Sequence, residues 1–168
     1  MTCNGTRTNL LAQTCSGRQR RATARARLWT AYGCRVADSG LAGTAVDLRR
    51  ELVGGADDTI LLRVIIQSVD DFAALDDDDA RRAFLAEPPG TGDPRYDALL
   101  AGVAVHLVQR AGMPTTPAWT RDASRYLPRM WWVGLPEGSA RRAYVLQRTP
   151  AYLKARGVLF NTDNLDSV

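Results

Sequence analysis

The clearest hydrophobic patterning lies between Asp57 and Gly112, where apolar positions recur with a helical period. In "DDTILLRVIIQSVDDFAAL" they fall at Ile60, Leu61, Leu62, Val64, Ile65, Ile66, Val69, Phe72 and Leu75. The β-branched residues make a strand conceivable over 59–66. Continuation to Phe72 and Leu75 at helical spacing decides for a helix. Its wide apolar arc predicts that most of it is buried, and the two leading aspartates suit an N-terminus by capping and by the macrodipole. "DDDDARRAFLAEPPG" predicts a second, short helix with Phe84 and Leu85 as anchors and Pro88–Pro89 as its stop. "TGDPRYDALLAGVAVHLVQRAG" predicts a third. Asp93 caps it and Pro94 takes the first position. Tyr96, Leu99, Leu100, Val103, Leu107 and Val108 form its buried stripe, and Gly112 with Pro114 ends it.

The pattern then breaks. "PAWTRDASRYLPRMWW", residues 117–132, holds three of the four tryptophans, and Pro128 rules out one continuous helix. It reads as an irregular connector laid across the ends of the preceding helices, its tryptophans closing the core. Gly138–Ser139 starts a further helix reaching Leu146. "TPAYLKARG" gives another, with Thr149 as cap, Pro150 first and Gly157 just past the end. "VLF" at 158–160 reads as extended, and Thr162 or Asp163 caps a last turn. Upstream, Ala45, Leu48 and Leu52 have weak helical spacing. Residues 41–56 therefore read as a short helix or linker, capped by Thr44 and ended by Gly54–Gly55. The expected architecture is mainly α: a small helical regulatory or interaction domain over 57–168 with a Trp/Pro-rich connector. A basic arm over 1–40, without an apolar stripe and expected to be flexible and disordered, precedes it.

The chain carries a net charge of +4, and Lys154 is its only lysine. With abundant Ala, Gly and Asp, this is the residue usage of a GC-rich genome, so arginine number alone does not signal nucleic acid. Position says more. Residues 1–35 contain seven arginines and no acid. That arm reads as a solvated segment, as a nucleic-acid contact through Arg18, Arg20, Arg21, Arg25 and Arg27, or as translated sequence ahead of the true start. Its letters also fit an organelle transit peptide, although arginine bias explains them equally well. Cys3, Cys15 and Cys34 are odd in number, with no CxxC and no nearby histidine. They read as free thiols in a reducing cytoplasm rather than a zinc site or a disulfide framework. No segment approaches the ~18 consecutive apolar residues of a membrane span.

Catalytic signatures are missing: there is no phosphate loop, dinucleotide fingerprint, HExxH or G-x-S-x-G. Asp76–Asp79 lack the alternate spacing of a calcium loop and read as a capped helix start. His106, the only histidine, reads as a partly buried structural residue, since no Ser or Cys nucleophile is patterned with it. No catalytic residue, metal or cofactor is expected, and an enzyme would need a site assembled wholly by the fold. The 117–160 region differs in kind. Seven arginines and Lys154 there face only Asp122 and Glu137, with aromatics interleaved. Such a surface suits a protein interface, and also stacked bases and phosphates. The candidate partner contacts are Trp119, Arg125, Arg129, Trp131, Trp132, Arg141, Arg142 and Arg156.

Four blocks in order carry a resemblance: "DDTILLRVIIQSVDDF", "LAEPPGTGDPRYDALLAGVAVHL", "PAWTRDASRYLPRMWW" and "RTPAYLKARGVLFNTDNLDSV". Together they resemble the C-terminal region of actinobacterial helix-turn-helix (XRE-type) transcriptional regulators and antitoxin-like proteins. The resemblance spans about residues 57–168. The family's DNA-reading half should precede Asp57, but residues 1–56 show no clear pair of helices. The resemblance implies a non-enzymatic regulatory protein acting through protein–protein binding, its partner a toxin encoded nearby. The alternatives are a nucleic-acid-binding protein using the arm and the Arg/Trp-rich C-terminal half, and an enzyme with a site not visible in sequence.

Overall fold

A computed structural model describes residues 40–165. The arm, with the nucleic-acid candidates Arg18, Arg20, Arg21, Arg25 and Arg27, lies outside the described residues, as do the three cysteines. The described chain is mainly helical: α1 Leu41–Val53, α2 Asp58–Ala73, α3 Asp78–Phe84, α4 Pro94–Arg110, α5 Arg141–Arg148 and α6 Ala151–Lys154. Two short strands, β1 Trp131–Trp132 and β2 Val158–Leu159, pair in parallel, Trp131 opposite Val158 and Trp132 opposite Leu159. No helix among the described residues is long and apolar enough to cross a membrane.

α4 is the axis of the packing. Its start is as the sequence implies: the Asp93 carboxylate accepts from the Arg95 amide, and Pro94 fills the first position. Its burial is wider than a stripe. From Tyr96 to Val108 only Asp97 and His106 are not buried. Ala98, Ala101, Gly102 and Ala104 keep its surface low, so neighbours approach closely. A Cβ at Gly102 would fall 2.1 Å from Leu153 Cδ2 of α6. α1, α2, α6, β2 and two 3-10 turns at Ala118–Arg121 and Ala123–Arg125 all pack on α4.

The segment read as a short helix or linker is a core helix. Leu41, Ala45 and Leu48 of α1 are fully buried. Gly40, not Thr44, sits at its N-cap position; Thr44 lies inside the first turn and donates its hydroxyl to the Gly40 carbonyl. Gly40 has φ +132, and a Cβ there would lie 2.7 Å from the Phe84 carbonyl oxygen, so only glycine brings α1 against α3 here.

α2 begins as expected, with Asp57 accepting from the Thr59 and Ile60 amides. Its burial is narrower than its apolar arc predicts. Leu61, Ile65, Val69 and Phe72 are buried, Ile60 is exposed, and Leu62, Val64 and Ile66 are only half-buried. α3 follows the expected plan: Asp77 caps it, Asp78 and Asp79 pair with Arg81 and Arg82, and Phe84 meets Phe72 edge-on.

The C-terminal third departs further from the sequence pattern. Trp131 and Trp132 form a strand rather than part of a connector. Gly157, with φ +75, lets that crossing approach: its would-be Cβ is 3.0 Å from Leu127 Cβ. α5 starts at Arg141 instead of Gly138–Ser139, runs to Arg148 and buries no residue. Thr149 does not cap α6; its hydroxyl turns back to the Val145 carbonyl at 2.7 Å. The last turn, Thr162–Asn164, is capped by the Asn161 side chain rather than by Thr162 or Asp163.

If α1 belongs to this core, Leu48→Ala in the full chain lowers the unfolding free energy by about 2–5 kcal/mol, the range for a fully buried leucine. Urea titration followed by circular dichroism measures it; a change within about 0.5 kcal/mol, normal for a surface site, would mean α1 does not pack as described.

Candidate functional site

The half-buried face of α2, the β1 region and α5 enclose an open groove of 1640 Å³. Leu62, Ile66, Trp131, Trp132, Val145 and Phe160 supply its apolar lining. Arg63, Arg95, Arg129, Arg141 and Arg142 also line it, against the acids Asp57, Asp58 and Glu137. Two of those three acids are already engaged. Asp57 caps α2. Asp58 accepts the Tyr96 hydroxyl at 2.7 Å and the Gly134 amide at 3.2 Å. Among the described residues, Arg63, Arg129 and Arg141 make no ion pair, so the groove presents free positive charge.

The Asp58 contacts position the groove. They tie the first turn of α2 to the central helix and to the loop after β1. Tyr96 is fully buried, and burial first, then the Asp58 carboxylate, pushes its phenol well above the ordinary 10.0. The Tyr96 ring meets Trp131 edge-on at 5.1 Å. Arg95 lies 5.4 Å over Trp131 and is held by Asp93 through contacts of 2.6 and 3.1 Å. That hydrogen bond holds the Asp93 carboxyl below its usual value and raises Arg95. Arg142 lies 4.9 Å over Trp132 and reaches the Leu135 carbonyl only at 3.5 Å. Both tryptophans thus already carry a guanidinium, which fixes where those arginines sit.

Of the eight candidate partner contacts, Arg129, Trp131, Trp132, Arg141 and Arg142 come together in this groove. The other three are internal, correcting their assignment to a partner surface. Trp119 is buried and donates its indole N–H to the Leu85 carbonyl at 3.0 Å. Arg125 is 6% exposed, lies over Trp119 and donates to the Pro88 carbonyl. Arg156 is 5% exposed and donates to the Tyr152 and Thr120 carbonyls at 2.6 and 2.7 Å. Desolvation lowers its pKa. Arg125 ties the 117–126 segment to Pro88, and Arg156, whose guanidinium bonds two carbonyls at once, ties it to α6.

Sequence reasoning missed Arg63 and Arg95, which reach the groove from two other helices. Nothing in their local pattern marks them, since each is one polar position on an amphipathic helix. His106 lies outside the groove lining. It is half-buried, and its Nδ1 sits 2.9 Å from the Tyr152 hydroxyl, in keeping with a structural role. Among the described residues no cluster of three His, Cys, Asp or Glu could hold a metal ion. Comparison with family models, curated proteins and solved structures finds no match.

Burial of the Tyr96 phenol, and after it the bond to Asp58, gives stability a pH signature. A raised phenol pKa means the folded state holds that proton more tightly. Its stabilisation is complete below pH 10 and is lost as pH rises beyond it. Tyr96→Phe should cost about 1 kcal/mol at pH 7 and flatten the alkaline loss of stability. Urea unfolding of both proteins at pH 7 and above pH 10 tests this; equal alkaline slopes would remove Tyr96 as the titrating group.

Proposed function

We propose that this protein is a non-enzymatic regulatory module that docks an acidic segment of a partner protein in the groove between α2, β1 and α5. One observation carries the reading: unpaired arginines surround an apolar, tryptophan-bearing floor. Carboxylates on a partner would pair with Arg63, Arg129, Arg141 and Arg142, while its apolar side chains cover Leu62, Ile66 and Trp132. The volume also argues for a chain segment, because it exceeds the ~300–1,000 Å³ of small-molecule sites. Single-stranded nucleic acid fits less well. Base stacking needs free aromatic faces, and Trp131 and Trp132 are already engaged by Tyr96, Arg95 and Arg142. The order of sequence blocks supports a regulator or antitoxin setting, in which the partner is a protein encoded nearby. Cytoplasmic location belongs to the same reading.

The probe is a fluorescein-labelled 12-residue peptide of alternating glutamate and valine, with an oligothymidylate of 12 nucleotides as comparison. Fluorescence anisotropy should show the peptide binding the full chain more tightly than the oligonucleotide, with affinity falling as salt is added. Arg63→Glu with Arg141→Glu should weaken the peptide at least tenfold. Both side chains are exposed and unpaired, so the fold should survive. Tighter oligonucleotide binding lost in the same variant would replace the protein partner with nucleic acid; peptide binding indifferent to both charges would overturn the groove as the site.

A further inference from the structure

We infer that the partner's acidic segment binds as an extended strand added to the free edge of β1. This rests on the docking reading above and specifies how the segment is held.

β1 pairs with a strand on only one of its edges; on the other, the Trp132 carbonyl accepts a turn bond from the Leu135 amide at 3.4 Å. Trp131 and Val133 send their amides toward the β2 side, to the Gly157 carbonyl at 2.7 Å and the Leu159 carbonyl at 3.2 Å. Amides alternate in direction along a strand, so the Trp132 N–H points to the opposite edge. It has no acceptor among the described residues. Trp132 and its chain neighbours from Leu127 to Glu137 line the groove, together with Phe160 and Asn161 just past β2. An unused backbone donor therefore lies beside the arginines. Two strands of two residues make a marginal sheet, and a third strand would extend it.

An extended occupant also suits the side chains. Successive residues of a strand point to opposite faces. Alternate acidic residues would therefore reach the α5 arginines on the face where Arg142 lies over Trp132, while the residues between them meet the opposite face, which carries Trp131. This is the arrangement of strand addition, where backbone bonds give affinity and alternate side chains give specificity. The chain's own arm is a poor occupant, since residues 1–35 carry seven arginines and no acid. The acids Asp77–Asp79 are a poor source on a second copy, because capping and ion pairs already engage them.

Two forms of the glutamate–valine peptide test the inference. One is N-methylated at every glutamate, the other at every valine, so each blocks one edge of an extended chain. One form should lose at least tenfold in affinity for the full-length protein, while the other binds within about twofold of the parent peptide. Saturating parent peptide should also slow hydrogen exchange at the Trp132 amide at least tenfold, read by NMR. If either signature is missing while Arg63→Glu with Arg141→Glu still weakens the parent peptide, strand addition is overturned and the groove binds by side chains alone. If the parent peptide does not bind, the docking reading and strand addition both fall.

Discussion

The structure depends on one constraint: α4 has almost no face for water. Between Tyr96 and Val108 only Asp97 and His106 see solvent, so every side of the helix must be covered. The chain supplies that cover piecemeal. α1 and α2 pack on it, the 3-10 turns after Pro117 cross it, and α6 with β2 closes on it. The alanines and Gly102 let those covers lie close, which suits short elements that have few large side chains to contribute. α1 follows from the same demand. Its weak apolar pattern is enough because three fully buried side chains meet an already apolar helix.

The cover over the 117–126 segment is partly polar, and that explains two arginines read as partner-facing. Trp119 and Thr120 are buried, and the irregular backbone around them leaves carbonyls without helical partners. Arg156 supplies donors to Thr120 and Tyr152, and Arg125 to Pro88. Arg125 has Asp97 and Glu87 at 3.7 and 3.8 Å, whereas Arg156 has no carboxylate within an ion pair among the described residues. A guanidinium spreads its charge over a flat surface and stacks on Tyr126, so it tolerates this burial better than an ammonium would.

Much of the fold could be read from the chain, and much of the site could not. The helices with long apolar runs and strong end signals appear where the sequence puts them, as at Asp57, Asp77 and Asp93. These are local effects: a carboxylate beside free amides, or a proline where no amide is needed. The groove depends on α2 exposing Leu62 and Ile66, and the helical pattern treats those residues like the rest of the apolar arc. Periodicity states which residues share a face, but not how much of that face a neighbour covers.

By itself, then, the sequence determined the helical class, the starts of the main helices, the buried stripe of α4 and the cationic character of the last third. Those depend on contacts within a few residues, or on charge, which needs no fold. The tertiary structure alone decided that Trp131 and Trp132 pair with β2 and that Arg125 and Arg156 turn inward. It also brought Arg63 and Arg95 to the remaining arginines. Each of these depends on residues far apart in the chain meeting across α4, and no local spacing encodes that meeting.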